Sequence, residues 1–418
     1  METAQLDRNL IPSTNTTHAA TLKTLPLATP RFLKPLGKSD KKRDKNRIAF
    51  LYLGRRGGIA RLAYELGLAA VHHPQINPLL VLSDSNELLG LTQTLPARTV
   101  RVFRSGIGAL TQAYRIPWLV QGLNDALNAH RTETIVVLAS HVWSPVIAPF
   151  LKQAGRRYVV IVHDAAPHPG DVTGLAYNWL LRDAAQADRL ITLSSSVTTA
   201  LLGKRGFPNE RIVTLFHPLM TYVQKGVHAT WHGERPLRLL FFGRMMDYKG
   251  LPLLVAALDE LRTKGLRIEV TVAGEGDLKG KKQRLESLGV TVINRWLRED
   301  ELSKLLATHD AVVLTHIEAS QSGCAAASLG AGLPVITTPV GGLVEQIAHE
   351  VNGLVADRVD AAAIARQITR MAKDPGLFRS LVRGVVRHQR RWGTRNFLDN
   401  MLDALPRTVD RGGVTEAP

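Results

Sequence analysis

From Arg47 onward, short runs of Val, Ile and Leu alternate with longer amphipathic stretches. The runs "RIAFLYLG" (47–54), "NPLLVLS", "TIVVLAS", "RYVVIVHD", "RLITLS" and "RIVTLFHP" are apolar at successive positions, the pattern of strands buried on both faces. Between them, "GIARLAYELGLAAV" (58–71) and "IPWLVQGLNDALNA" (116–129) carry helical spacing. A polar, aperiodic segment after Pro218, "LMTYVQKGVHATWHGERP", interrupts the pattern and reads as a linker. The alternation then restarts. Strands are predicted at "RLLFFG" (238–243), "RIEVTVAG" (267–274), "VTVINRW" (290–296), "DAVVLTH" (310–316) and "PVITT" (334–338), with helices at "GLPLLVAALDELRTKG", "REDELSKLLATHD" and "SGCAAASLGAG".

Strand–helix alternation in both halves calls for parallel sheets covered by helices on each face. The expected fold is therefore α/β, two doubly wound Rossmann-like domains facing across a cleft. The expected boundaries are an N-terminal arm over 1–46, a first domain over 47–220, a linker over 221–236, a second domain over 237–395, and a C-terminal helix and tail over 396–418. A chain of 418 residues also exceeds one ordinary core.

Charge adds a second layer. The chain has 53 basic and 36 acidic residues, a net +17, which suits an anionic partner. Residues 1–46 hold nine Lys/Arg against four Asp/Glu without periodicity, and read as a basic arm. Arg379, Arg383 and Arg387 recur every four residues and share a helical face, extended by Arg390, Arg391 and Arg395. A solvated surface explains such a stripe; contact with an acidic membrane surface is the sharper reading. The lone cysteine, Cys324, excludes a disulfide framework and a cysteine-based metal site. No apolar run reaches the roughly 18 residues a spanning helix needs. The N-terminus lacks a signal-peptide core, so a cytoplasmic protein, peripheral on the inner membrane face, is expected.

In doubly wound sheets ligands sit beyond the carboxyl ends of the strands. There the second domain places Gly243, Arg244, Lys249 and Gly250 between a strand and a helix. A helix N-terminus attracts anions, and an Arg fork with a Lys ammonium suits a diphosphate. The next strand ends in "AGEGD", with Gly274 and Gly276 flanking Glu275. "HIEASQSG" follows a third strand and puts Glu318 ahead of Ser322 and Gly323 at another helix start. Glu318 is an acceptor for sugar hydroxyls or a helix cap. "TTPVGGLVEQI", with Glu345, reads as a structural turn. In the first domain "GRRGG" (54–58) opens a helix but fails the Gly-x-Gly-x-x-Gly fingerprint, which argues against a Rossmann dehydrogenase. His163 and Asp164 end the strand "RYVVIVHD"; His163 either faces the cleft or is a satisfied core histidine. With His168 they lack metal-ligand spacing.

Together "FFGRMMDYKG", "AGEGD", "EASQSG" and "GLPVITTPVGGLVEQIAHEVNGLV", with "RRGGIARLAYEL" and "VHD" earlier, resemble a nucleotide-sugar-dependent glycosyltransferase of the GT-B fold, in the large retaining group called glycosyltransferase family 4. The likeness is strongest over 238–356. It implies that Arg244 and Lys249 hold the donor diphosphate, that Glu318 contacts the donor sugar, and that the backbone at Ser322 and Gly323 cradles phosphate. It also implies that Gly57 and Gly58 approach the diphosphate across the cleft, with Gly243 and Gly274 on the near side. His163 would lie near the sugar and the backbone at Trp296 by the nucleobase. Where this family carries a second glutamate eight residues beyond the first, with seven residues between them, this chain has Ala326, followed by Ala327. That leaves the ribose contact unassigned.

The implied chemistry is transfer of a hexose to a glycan or lipid-linked acceptor in polysaccharide biosynthesis, with Arg244, Lys249 and helix amides stabilising the departing diphosphate. No cofactor and no metal are expected; the nucleotide sugar is the co-substrate. A basic nucleic-acid-binding protein is the rival reading from charge, opposed by the absence of zinc-finger spacing, an RNP motif or a basic region with heptads. An inactive scaffold or nucleotide-sugar epimerase of GT-B architecture is the other.

Overall fold

The computed structural model describes residues 45–167, 174–223 and 229–405. Most of the basic arm, His168, part of the linker segment and the tail from 406 lie outside these residues.

The first sheet has seven strands: β1 (Asn46–Tyr52), β2 (Ile76–Ser83), β3 (Ala97–Val100), β4 (Thr134–Val137), β5 (Arg157–Val162), β6 (Arg189–Thr192) and β7 (Ile212–Thr214). They run parallel in the order 3-2-1-4-5-6-7. The second has six: β8 (Leu237–Phe242), β9 (Ile268–Ala273), β10 (Thr291–Ile293), β11 (Ala311–Leu314), β12 (Val335–Thr337) and β13 (Gly353–Val355). These are also parallel, in the order 10-9-8-11-12-13. Each order reverses beside the domain's first strand, so β1/β4 and β8/β11 are the switch points where the cleft opens. The expected pair of doubly wound domains is what the chain forms.

Every strand anticipated from an apolar run is present, and the helices Gly58–Val71 and Ile116–Ala129 match their predicted spans. Two strands carried no usable pattern. β3, "ARTV", is an edge strand with no fully buried residue, and β13 is three residues long and begins with glycine. The segment after Pro218 is not a solvated connection at its ends. Leu219, Met220, Val223 and Trp231 are buried, the first three against the Ala-rich helix Gly323–Gly330 and the second sheet. Among the described residues no helix is long and apolar enough to cross a membrane.

The last helices tie the halves together. Pro375–Arg391 buries Phe378, Leu381 and Val385 while Arg379, Arg383 and Arg387 stay exposed. Thr394–Ala404 then returns to the first domain, where Phe397, Leu398 and Met401 join the core beneath Gly58–Val71. His73 Nε2 sits 2.9 Å from the Asp399 carboxylate at that contact.

Candidate active site in the interdomain cleft

A cavity of about 510 Å³ lies where the carboxyl ends of both sheets face each other. It is lined by Gly57, Gly58 and His163 from the first domain and by Gly243, Arg244, Lys249, Gly274, Trp296, Ser322 and Gly323 from the second. Ten of the eleven expected site residues are therefore brought to one place. Glu318 is the exception: it is exposed and stands outside the lining. It does not cap the following helix either, because Ser322 does so through its hydroxyl, which accepts from the Ala325 amide at 3.2 Å.

The loop after β8 is shaped by glycines at close approaches. Gly250 (φ +68°) closes a short turn at Asp247–Lys249, and a Cβ there would overlap the Thr315 carbonyl. Gly274 (φ +148°) lies against the Gly243 carbonyl in the same way. This packing carries Lys249 into the cleft, 7% exposed. Its ammonium lies 3.4 Å from the Cys324 sulfur and 5.7 Å from the Tyr248 ring centroid, and no described carboxylate pairs with it. Arg244 is exposed and likewise unpaired by any described acid. Two cations without counter-charges at the mouth of a cavity form a site for a multiply charged anion.

The Gly323–Gly330 helix points its first turn at this site, with one correction. The Ser322 N–H is not available to a ligand: it donates to Gln346 Oε1 at 2.8 Å, and Gln346 Nε2 donates back to the Ser322 carbonyl at 3.1 Å. Gly323 and Cys324 carry the amides left open in that turn. On the facing domain, His163 is half-buried. Its Nε2–H donates to the Leu138 carbonyl at 2.7 Å, which leaves Nδ1 as the acceptor, 3.5 Å from Gln321 Nε2. Burial pushes its pKa below the ordinary value, so the imidazole is neutral. The other end of that amide, Gln321 Oε1, is buried with no partner.

Several cleft residues were not singled out by sequence reasoning. Arg56 reaches across to Glu275 (3.1 Å) and stacks 4.2 Å above the Trp296 ring. Glu87 accepts from the Gly57 amide at 2.6 Å and from Trp296 Nε1 at 3.2 Å. Arg61 bridges Glu65 (2.8 Å) and Glu299 (2.9 Å) beneath the cavity, and burial raises the pKa of both carboxyls. Glu345, placed in a structural turn by its sequence, accepts from the amides of Ser195 (2.8 Å) and Ser196 (3.2 Å) across the interface. The available signal was position: Arg56 follows a strand end, as do Glu275 and the expected Trp296. Nothing in one dimension identifies their partners. Among the described residues no cluster of His, Cys, Asp and Glu could hold a metal.

The chain resembles an uncharacterized glycosyltransferase of Methanocaldococcus jannaschii (26% identical, over 45% of this chain and 52% of the relative). A glycogen synthase of Mycobacterium tuberculosis is 29% identical over 51% of this chain and 53% of its own. A 2-deoxystreptamine glucosyltransferase of Streptomyces kanamyceticus is 24% identical over 70% and 81%. The chain spans about half the length of the first two relatives. Among solved structures, Anabaena HepE in complex with UDP and glucose superposes over 86% of this chain and 99% of its own, with a TM-score of 0.65 at 19% identity. Sucrose-phosphate synthase from Thermosynechococcus elongatus does so over 86% and 98%, with a TM-score of 0.64 at 17% identity. At these identities the likeness is one of fold, the GT-B arrangement of two parallel-sheet domains. Residues 236–374, the half of the cleft that carries Arg244, Lys249 and Gly323, match the family described as Glycosyl transferases group 1.

Proposed function

We propose that this protein is a retaining glycosyltransferase of the family 4 type, moving a hexose from a nucleotide-diphosphate sugar to a glycan or lipid-linked acceptor in polysaccharide assembly. The observation that carries the reading is the buried, unpaired ammonium of Lys249 beside Arg244 and the open amides of Gly323 and Cys324. A diphosphate supplies the charge this arrangement lacks. Names among the relatives support the substrate class: a glycogen synthase and an amylovoran biosynthesis glycosyltransferase of Erwinia amylovora both act in glycan assembly by their descriptions.

Cleavage of the sugar–phosphate bond leaves negative charge on the diphosphate and oxocarbenium character on the sugar. Arg244, Lys249 and the helix amides stabilise the first; each preorganised donor of this kind is worth about 2.7–4 kcal/mol of barrier. In this reading neutral His163, with Nδ1 as its acceptor beside Gln321 Nε2, serves the sugar side of the cleft, and the unpartnered Gln321 Oε1 accepts from a sugar hydroxyl.

The test is a panel of labelled nucleotide sugars incubated with and without a membrane lipid and glycan extract, comparing the wild type with Arg244→Ala. Acceptor-dependent label transfer from one donor, reduced roughly 100-fold in the variant, is the expected result. Equal turnover in both proteins overturns the site. Donor altered without any acceptor points instead to an epimerase.

A further inference from the structure

The segment that leaves the cleft mouth on the first domain carries an uncovered apolar stripe. Ile107, Leu110, Tyr114 and Trp118 are 78%, 82%, 68% and 67% exposed, far beyond the scattered single residues usual on a protein surface. They fall three or four residues apart along the helix Gly106–Thr111, the turn Ala113–Arg115 and the start of the helix Ile116–Ala129. The opposite face of that last helix, Leu119, Leu123 and Leu127, is the one buried in the core. The stripe is held rather than frayed. Ser105 caps the short helix, Trp143 Nε1 donates to the Ala109 carbonyl at 2.9 Å, and the Tyr114 and Trp118 rings meet edge-on at 6.5 Å.

The charge along the segment is mostly positive, with the exposed Asp125, two helical turns beyond Trp118, as the exception. Between Glu87 and Asp125 the chain holds no acidic residue, while Arg98, Arg101 and Arg104 are exposed. Arg104, 73% exposed, is loosely paired with Asp84 at 3.9 Å. The same segment adjoins the loop that lines the cleft: Arg55, next to the lining residues Arg56 and Gly57, donates to the Arg104 carbonyl at 2.6 Å.

We propose that this face docks on an anionic bilayer, with Ile107, Leu110 and Trp118 entering the headgroup–acyl boundary and Arg98, Arg101 and Arg104 on the lipid phosphates. Aromatic rings with a polar edge, aliphatic tips and flanking cations are the combination that an interfacial surface requires. The helix that carries Arg379, Arg383 and Arg387, by contrast, exposes no large apolar side chain of its own. The docking face deepens the lipid-linked acceptor reading, since it would bring the cleft mouth to the membrane. Vesicle binding without donor or acceptor reports on it independently of transferase activity.

The experiment is co-sedimentation of the full chain with phosphatidylcholine vesicles, with and without phosphatidylglycerol, at low salt. Ile107→Ser/Leu110→Ser should weaken binding to the anionic vesicles by about tenfold or more. Arg98→Gln/Arg101→Gln/Arg104→Gln should weaken it on the order of a hundredfold, at roughly fivefold per charge. Arg379→Gln/Arg383→Gln/Arg387→Gln should change it far less. In the unmodified protein, brominated lipid should quench tryptophan emission, and Trp118→Phe should abolish most of that quenching. The proposal is overturned if the 379/383/387 variant loses binding while the stripe variants keep it, or if quenching survives Trp118→Phe. It is equally overturned if the wild type ignores anionic vesicles and sediments as a dimer that Ile107→Ser/Leu110→Ser disperses.

Discussion

The Lys249 ammonium rests 3.4 Å from the sulfur of Cys324, on the opposite wall of the same pocket, and the thiol in turn faces the Phe242 carbonyl at 3.3 Å. The lysine is thus held by soft contacts that compensate little of its charge, and in the proposed function the donor diphosphate supplies the rest. Lys249→Met keeps the buried stem and removes the charge. Transfer should fall about 100-fold or more, calorimetric affinity for a nucleoside diphosphate should weaken, and the thermal midpoint should hold. Unchanged nucleotide affinity would place the diphosphate elsewhere.

Arg61 should prove a structural joint between the domains. Its guanidinium serves Glu65, Glu299 and the Thr221 carbonyl, and lies 4.8 Å from the Tyr222 ring centroid. Arg61→Met leaves two partly or fully buried carboxylates uncompensated, at a cost of about 3 kcal/mol or more near neutral pH. Both carboxyls titrate above their ordinary range already through burial, and losing the cation raises them further. A raised acid stabilises the fold when protonated, so the variant's deficit should shrink as pH falls toward 5. Urea unfolding at pH 7.5 and pH 5 measures this; an equal deficit at both rules it out.

Restoring the missing glutamate should fail. Ala326 is fully buried, its carbonyl accepts from the Met220 amide at 3.3 Å, and its neighbours are apolar. Ala326→Glu therefore buries a carboxylate without a partner, and the thermal midpoint should drop with no gain in nucleotide affinity. Tighter binding of a nucleoside diphosphate would show that the cleft can admit a ribose contact there.

A buried acid also sets a pH trend in the first domain. Asp183 accepts from the hydroxyls of Ser140 (2.7 Å) and Tyr158 (2.8 Å), and burial pushes its carboxyl from 3.8 up to about 6. Its stabilising contribution is present below 3.8 and lost as pH rises through about 6. The gap is worth about 3 kcal/mol at 1.36 kcal/mol per pKa unit. Asp183→Asn should flatten the fall in stability between pH 4 and pH 7, read from denaturant midpoints. A parallel fall in both proteins would assign the trend to other groups.

The strand runs that were uniformly apolar, such as "RLLFFG" and "RYVVIVHD", were legible because a strand covered on both faces has no polar side to show. The residues after them were legible because a doubly wound sheet offers its ligands only strand ends, which is how Arg244, Lys249 and His163 could be named from one dimension. β3 escaped because an edge strand need not be apolar, and the packing of Leu219 to Val223 escaped because no periodicity marks an irregular segment that fills a groove.

What the sequence determined by itself was the layer architecture and the position of the cations, since both follow from local pattern: hydrophobic period for the layers, strand-to-helix junctions for the charges. What only the tertiary structure decided was who meets whom. Arg56 with Trp296, Arg61 with Glu299 and Glu345 with the Ser195 amide each join residues far apart in the chain. The structure also used the Ser322 amide for Gln346, left Glu318 outside the cavity and turned Trp118 to the surface. Such pairings depend on how two domains settle against each other, and a contact between distant segments leaves no mark on the local order of polar and apolar residues.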